Sequence, residues 1–599
     1  MATRTRERKG RRRPHHGVRL FVVTWALVFA AMGCWSLATP RFAAPDEPVQ
    51  VAKAAAVVRG QLDGRPSPGR QPAYGEVTIP AFFADSLNLP VCFHRAPTVP
   101  ASCEGSAPAS SAPTTVSIYV AHYPPLYYAV VGLPSLLGVG NWVLYLMRLT
   151  GAALDALFVA LAVTAARRWS TSRLVLAGVL VSTTPMVLFL GGVVNPSSLE
   201  VAAAIATWTC GSLLVLEHAA DPPPGLVAAL AVSASVLELT RGISPFWLAC
   251  TLVFLLAVGD RRHLVGLLRR RSVQGGLAAV AALGGLALAW TFTKHALDVI
   301  SYTPLGPAPT STILETSFAH NDFYLPGMVG VFGWFDTWAP TFTYVVWYGL
   351  VGLLGLAAAV VARLRQALAL AALALAIVVV PVAISSSQVH RYGYTWSPRD
   401  TLPLAVGLPI LAAALVGRSL LSAHRARLAG TVGTLAVLAQ LAAFFEALRR
   451  YAVGTKGADL GFLVHADWRP PGGFWPVLAV EACALTGFAV LVRALVADGA
   501  VDRSGVRGAH RRGVPGLLAS GPNASGPNAS GPSASGPNAS GPNGAAPAGT
   551  APNVTAPGDD VPAASPAAAM SAPVRGWSLA DWWATAGPRR GGEPGVAGE

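Results

Sequence analysis

Apolar runs of about 18 or more residues recur along this chain, and as helices each is long enough to cross a hydrocarbon core of about 30 Å. They cover roughly 18–38, 142–165, 173–191, 199–217, 223–241, 244–258, 274–293, 343–361, 366–386, 402–416, 428–445 and 475–495. Open strands cannot span lipid, because their backbone donors would go unpaired there. The expected fold class is therefore an all-α polytopic membrane protein with about 12 transmembrane helices.

The polar positions orient these spans. With the N-terminus inside, the inner loops carry Arg167, Arg168 and Arg173; Arg261, Arg262 and Arg269 to Arg271; Arg363 and Arg365; and Arg418, Arg425 and Arg427. Arg503, Arg507, Arg511 and Arg512 follow the last span. Arginine on the cytoplasmic side is the usual determinant of topology, so both termini are expected inside. One segment would break the parity if it spanned. Tyr123-Pro124-Pro125-Leu126-Tyr127-Tyr128 leads into an apolar stretch ending near Gly140. Its prolines and clustered tyrosines suit the headgroup level, so it is read as a juxtamembrane helix on the outer surface. Large outer loops then run over 39–122, 294–340 and 449–474, with a shorter one over 388–401.

Composition agrees with this layout. Of the 599 residues 53% are hydrophobic and only 12% charged, about half the charged share of a soluble protein. The net charge of +15 is carried by arginines beside span ends, so nucleic acid is not an expected partner. Abundant Ala, Gly, Pro and Arg point to a bacterial chain, and the expected location is the plasma membrane. The basic run Arg4 to Arg13 precedes an apolar stretch too long for a signal-peptide core, so residues 1–17 are read as a cytoplasmic N-terminus before an uncleaved first span. Cys92 and Cys103 share one polar loop, and if that loop faces outward a disulfide between them is expected. Residues 18–495 form the membrane domain. Residues 496–599, with Ala-Ser-Gly-Pro-Asn repeats between Ala519 and Asn543, read as a mostly disordered cytoplasmic tail, too poor in apolar side chains to offset chain entropy.

Candidate chemistry begins just after the first span. Asp46 and Glu47, flanked by Pro45 and Pro48, sit at a membrane surface where a helix-like run from Pro48 to Gly60 begins. Capping of that helix is the plain structural role. A cap needs one acid, however, and burial near lipid would suit one of the pair for service as a base. Arg399, Arg391 and His390 fall in the short outer loop, where an arginine fork matches phosphate geometry and interfacial anchoring is the alternative. Arg148 and Arg241 lie near the outer ends of spans, and Glu238, three residues before Arg241, is a ready partner for it. Tyr123, Tyr127 and Tyr128 suit either a sugar-stacking role or an aromatic belt. Asn195 and Glu200 suit the start of a helix. No phosphate-binding Gly-Lys loop and no zinc helix of the His-Glu-x-x-His type occurs. Carboxylates suit magnesium or manganese, so a divalent cation at Asp46 is compatible with the sequence without being required by it.

Four stretches together resemble the C-type superfamily of integral membrane glycosyltransferases, and more narrowly an uncharacterised family of bacterial multi-span proteins near it. They are Thr39-Pro40 to Pro45-Asp46-Glu47-Pro48; Tyr123-Pro124-Pro125-Leu126-Tyr127-Tyr128; Asn195-Pro196-Ser197-Ser198-Leu199-Glu200; and Ser397-Pro398-Arg399-Asp400-Thr401-Leu402-Pro403. The last departs from the family's Gly-Arg-Tyr, keeping only the arginine. The resemblance implies a polyprenyl-phosphate sugar donor and transfer outside the cytoplasm to a glycan, lipid or protein acceptor in cell-envelope assembly. It also implies Asp46 as base with Glu47 as its partner, and Arg399, Arg391, His390 and Arg148 as donor-phosphate ligands. Tyr123, Tyr127, Tyr128 and Asn195 would contact substrate or lipid. Two rivals are a transporter or flippase of lipid-linked glycans, expected to show broken helices and mid-membrane charge, and a non-catalytic scaffold.

Overall fold

The computed structural model describes residues 15–218, 221–301 and 304–511. Residues 512–599, which hold the repeats and most of the expected tail, lie outside the described residues. Each of the twelve apolar segments is helical over most of its length. Among the described residues nine helices are long and apolar enough to cross a membrane, and two shorter apolar helices accompany them. This is a mostly helical, multi-pass membrane fold.

Helix α1 (His15–Ala38) ends two residues before Pro40, and α2 (Glu47–Val57) follows a tight turn. The first outer loop then departs from the all-α expectation. It contains a small antiparallel sheet ordered β1 (Arg65–Pro66), β2 (Gly75–Pro80), β3 (Pro113–Ile118), with α3 (Ala81–Asp85) between the last two strands. Val77 and Ile79 of β2 face inward, while Glu76 and Thr78 alternate with them, as a half-buried strand requires. Thr78 faces Thr115 across the pair, with hydroxyls 2.9 Å apart. Helix α4 (Leu126–Val131) has six residues, too few to cross a bilayer, so this segment does not upset the span count.

The bundle continues with α5 (Asn141–Trp169), α6 (Val175–Ser182), α7 (Pro185–Gly191), α8 (Pro196–Glu217), α9 (Pro224–Thr240) and α10 (Ser244–Val258). The segment expected as one span over 173–191 is broken between α6 and α7. Pro185 has no N–H to continue a helix and holds Thr184 extended (ψ 165°), where the Thr184 hydroxyl caps α7 by accepting from the Val187 N–H. At Gly178 on α6, an added Cβ would stand 2.5 Å from the Pro409 carbonyl, so only glycine permits this contact. Helix α8 is the buried centre of the bundle, with 94% of its span interior.

Next come α11 (Arg261–Leu268), α12 (Arg271–Thr293), α13 (Thr310–Ala319) and α14 (Asn321–Gly330), then a hairpin of β4 (Val331–Phe332) and β5 (Thr337–Trp338). The last elements are α15 (Thr341–Val361), α16 (Leu364–Tyr392), α17 (Pro398–Ala405), α18 (Gly407–Ser419), α19 (Ser422–Val453) and α20 (Phe474–Arg511). Helix α20 runs past the expected end of the membrane domain at 495. Helix α12 is peripheral, with only 11% of its span covered by protein.

Cys92 and Cys103 are disulfide-bonded, with Cα atoms 6.0 Å apart. The loop they close is anchored to α19 by Arg450. This fully buried guanidinium donates to the carbonyls of Val99 and Phe93 at 2.8 Å and to Asp336 at 2.9 Å.

Candidate functional site

The residues between α1 and α2 set the site. Asp46 adopts the left-handed conformation (φ 64°), which aspartate and asparagine tolerate better than most side chains, and its carboxylate does not cap α2. The turn instead aims the two acids in different directions. Asp46 Oδ1 accepts from the Tyr119 hydroxyl at 2.6 Å, and Oδ2 is paired with Arg399. Arg399 also reaches the Pro45 carbonyl at 3.3 Å. Asp46 retains 22% side-chain exposure and Arg399 11%, so the pair is not sealed in the core.

Glu47 turns inward and is fully buried. Arg148 on α5 grips it with two parallel bonds, Nε to Oε1 at 2.7 Å and Nη2 to Oε2 at 2.6 Å. The same guanidinium donates to the carbonyls of Ser36, Thr39 and Pro40, and the Val194 N–H completes Glu47 at 3.0 Å. A charge pair this deep persists only when its donors and acceptors are matched, as they are here. Glu47 and Arg148 thus differ from the roles expected of them. Neither has exposed surface for an acceptor or a phosphate, and together they lock the α1–α2 turn that presents Asp46.

The charged group extends beyond Asp46. Helix α17 begins with a capping box in which Asp400 Oδ2 accepts from the Ser397 N–H at 3.0 Å. Its other oxygen accepts from Arg241 at 2.8 Å. Arg241 donates as well to Glu200 at 3.1 Å, and Ser244 donates to Glu200 at 2.6 Å. Arg241 therefore pairs across helices with Glu200 and Asp400 and not with Glu238 on its own helix. Tyr123 faces this set. Burial raises its hydroxyl pKa, with Arg241 the strongest opposing influence and Asp46, Asp400 and Arg399 acting more weakly. Phe335, held at φ 63° in the β4–β5 turn, places its ring 6.0 Å from the Arg399 guanidinium.

Residues 29–408 match the model of a family described as predicted membrane protein DUF2142. The chain belongs to this family. The matched range includes every member of the charged group, from Asp46 to Asp400. No curated protein matches the chain. Two crystal structures of ArnT from Cupriavidus metallidurans, one in the apo state and one bound to undecaprenyl phosphate, are similar to it at 16% identity. Their TM-scores are 0.39 and 0.36, and each comparison covers 82% of this chain and 78% of the other.

The other expected site residues of this DUF2142 member are divided. Tyr127 and Tyr128 are fully buried braces. The Tyr127 hydroxyl accepts from the Asn195 N–H at 2.9 Å, and Tyr128 donates to Gln50 at 2.5 Å. Asn195 caps α8, accepting from the Ser197 N–H at 3.0 Å, and reaches the Pro45 carbonyl at 3.4 Å. These three hold the turn from behind, and only Tyr123 of the tyrosine motif faces the charges. His390 and Arg391 stand exposed at the end of α16. His390 lies 3.1 Å from the Leu305 carbonyl, and Arg391 stacks 4.8 Å from the Tyr392 ring. No hydrogen bond or ion pair joins either to Asp46 among the described residues.

The sequence did not mark Tyr119 or Asp400 as members of the group. For Asp400 the Ser397-x-x-Asp400 cap signature was present. Tyr119 gave no local signal, because it comes in from afar at the end of β3.

A divalent cation does not fit the donor set as arranged. Each carboxylate oxygen of Asp46, Asp400 and Glu200 already accepts a hydrogen bond or ion pair, and no cluster of three or more His, Cys, Asp or Glu side chains suited to a metal occurs among the described residues.

Proposed function

We propose that this protein transfers a sugar from a polyprenyl-phosphate donor to an acceptor at the outer face of the bacterial plasma membrane, in cell-envelope glycan assembly. The observation that carries the reading is the partly exposed Asp46–Arg399 pair, held at the mouth of the bundle by a turn that the Glu47–Arg148 lock makes rigid. A carboxylate for the acceptor proton and a guanidinium for the donor phosphate then share one opening.

The chemistry follows from those two groups. The bond between the anomeric carbon and the phosphate oxygen breaks as the acceptor oxygen bonds to that carbon. The acceptor proton passes to Asp46, and the polyprenyl phosphate leaves with its charge countered by Arg399. Arg399 is paired with Asp46, so an arriving phosphate competes for the guanidinium and releases Asp46 Oδ2 to act as base. Donor binding and activation of the base are thereby coupled. Tyr119 keeps the carboxylate oriented. Arg241 and Asp400 fix the end of α17 that carries Arg399. Tyr123 and Phe335 offer ring faces beside the charges.

One observation favours transport of lipid-linked glycans instead. Helix α6–α7 is broken, and Asp155 on α5 and Glu481 on α20 lie fully buried inside spans, beside Ser198 and Cys34 rather than a countercharge. Purified protein incubated with polyprenyl-phosphate sugars and candidate acceptors separates the two. Transferase activity yields free polyprenyl phosphate and a glycosylated acceptor, and Asp46→Asn abolishes both. Movement of intact lipid-linked sugar between leaflets without bond cleavage supports the transporter.

A further inference from the structure

A second basic assembly lies at the other end of the bundle. Helix α8 carries Glu200 in the charged group and Leu216 sixteen residues on, about 24 Å along the helix axis. Val215 and Leu216 line a cavity of about 530 Å³ there, with Val258 at the end of α10, Arg261 and Arg262 of α11, Arg363 and Arg365 at the start of α16, and Arg418 at the end of α18. Five arginines and His263 thus surround a hollow that has one acidic lining residue, Asp260. That acid is already used, since its Oδ1 caps α11 by accepting from the Arg262 N–H at 3.0 Å. The α16 side of the wall is fixed by hydrogen bonds, while the arginines keep exposed surface. Arg365 donates to the Gly259 carbonyl, and Gln366 to the Val258 carbonyl at 3.1 Å.

Arginines that only set topology need not converge. These come from three separate helices onto one space, so their charges repel unless an anion is shared among them. Beside the cavity, α11 carries Arg261 and Arg262 at its start, buries Leu267 and exposes Val265 and Leu268, the pattern of a helix lying at a membrane surface.

We propose that this cavity binds a phosphate group, carried by an anionic glycerophospholipid or free as inorganic phosphate. Guanidinium forks match the oxygens of either, and the apolar side formed by Val215, Leu216 and Val258 accommodates the glycerol end of a lipid. The site is independent of the sugar-transfer reading, since it shares no residue with the Asp46 group.

The test uses the full chain, purified in detergent and stripped of lipid, with binding followed by native mass spectrometry and thermal unfolding. The probes are phosphatidylglycerol, diacylglycerol and inorganic phosphate. The wild type is expected to bind phosphatidylglycerol or inorganic phosphate saturably, to bind diacylglycerol at least tenfold more weakly, and to lose affinity as salt rises. Retention of phosphatidylglycerol alone assigns a lipid headgroup, and equal binding of inorganic phosphate assigns the anion itself. Arg261→Gln, Arg363→Gln and Arg418→Gln combined should weaken binding at least tenfold, while the ligand-free unfolding temperature stays that of the wild type. If the triple variant fails to fold, Arg418→Gln alone should still weaken binding severalfold. Absence of phosphate-dependent binding by the wild type, or affinity for diacylglycerol equal to that for phosphatidylglycerol, overturns the proposal.

Discussion

Two adjacent carboxylates in one turn have opposite fates, decided by backbone geometry. The left-handed φ of Asp46 sends its side chain toward Tyr119 and Arg399, while Glu47, as the first residue of α2, points into the bundle toward Arg148. The account therefore expects different outcomes from matched substitutions. Asp46→Asn keeps the shape and tolerates left-handed backbone, so the protein should fold as before while sugar transfer falls by about 10²–10⁴-fold. Glu47→Gln leaves a buried guanidinium without its countercharge and should destabilise the fold by about 3–5 kcal/mol, seen as a lowered unfolding temperature. The acidic pair was legible from its prolines and its place after the first span. The division of labour was not, because Arg148 lies 101 residues away and nothing local marks it as the partner of Glu47.

Lys53, on the same helix, gives a prediction in pH. Burial lowers its amine pKa to about 7, against a smaller opposing pull from Asp63. Between about pH 7 and the ordinary lysine value the unfolded chain holds this proton and the folded chain does not, so stability should rise with pH across that window. Below about pH 7 both states are protonated and the dependence from this group ends. Lys53→Met, which keeps the length without the charge, should flatten the slope of unfolding temperature against pH between 7 and 10.

At the scale of elements, the spans were legible because membrane helices announce themselves by length and hydropathy. The outer loop hid its structure. Val77 and Ile79 alternate with polar neighbours as a strand should, but a six-residue period-two signal is slight beside long apolar runs. The helix break at Thr184 carried its own mark in Pro185, yet the hydropathy of 173–191 stays high through it. The Cys92–Cys103 bridge closes a short loop that Arg450 also pins. Replacing both cysteines with serine should cost about 2–3 kcal/mol, checked by thermal unfolding with and without reductant, since a short closed loop removes limited entropy from the unfolded chain. Reductant should lower the unfolding temperature of the wild type and leave the double variant unchanged.

Taken whole, the molecule is polarised. One end gathers Asp46, Arg399, Asp400, Arg241 and Glu200, contributed by the turn before α2 and by residues of α8, α17 and the α9–α10 connection. The other end gathers arginines around a cavity. Membership of the DUF2142 family covers the first group and stops short of α19 and α20, so the sugar-transfer reading rests on side chains inside the matched range. The two groups lie about 24 Å apart along α8, so the molecule carries different chemistry at the two ends of its bundle.

The most direct test of the central claim is release of polyprenyl phosphate from a panel of polyprenyl-phosphate sugars by the purified wild-type protein, beside Asp46→Asn and Arg399→Gln. Acceptor-dependent release by the wild type, near-complete loss with Asp46→Asn, and a raised donor KM with Arg399→Gln are expected. Release undiminished in Asp46→Asn, or none by the wild type from any donor in the panel, would contradict it.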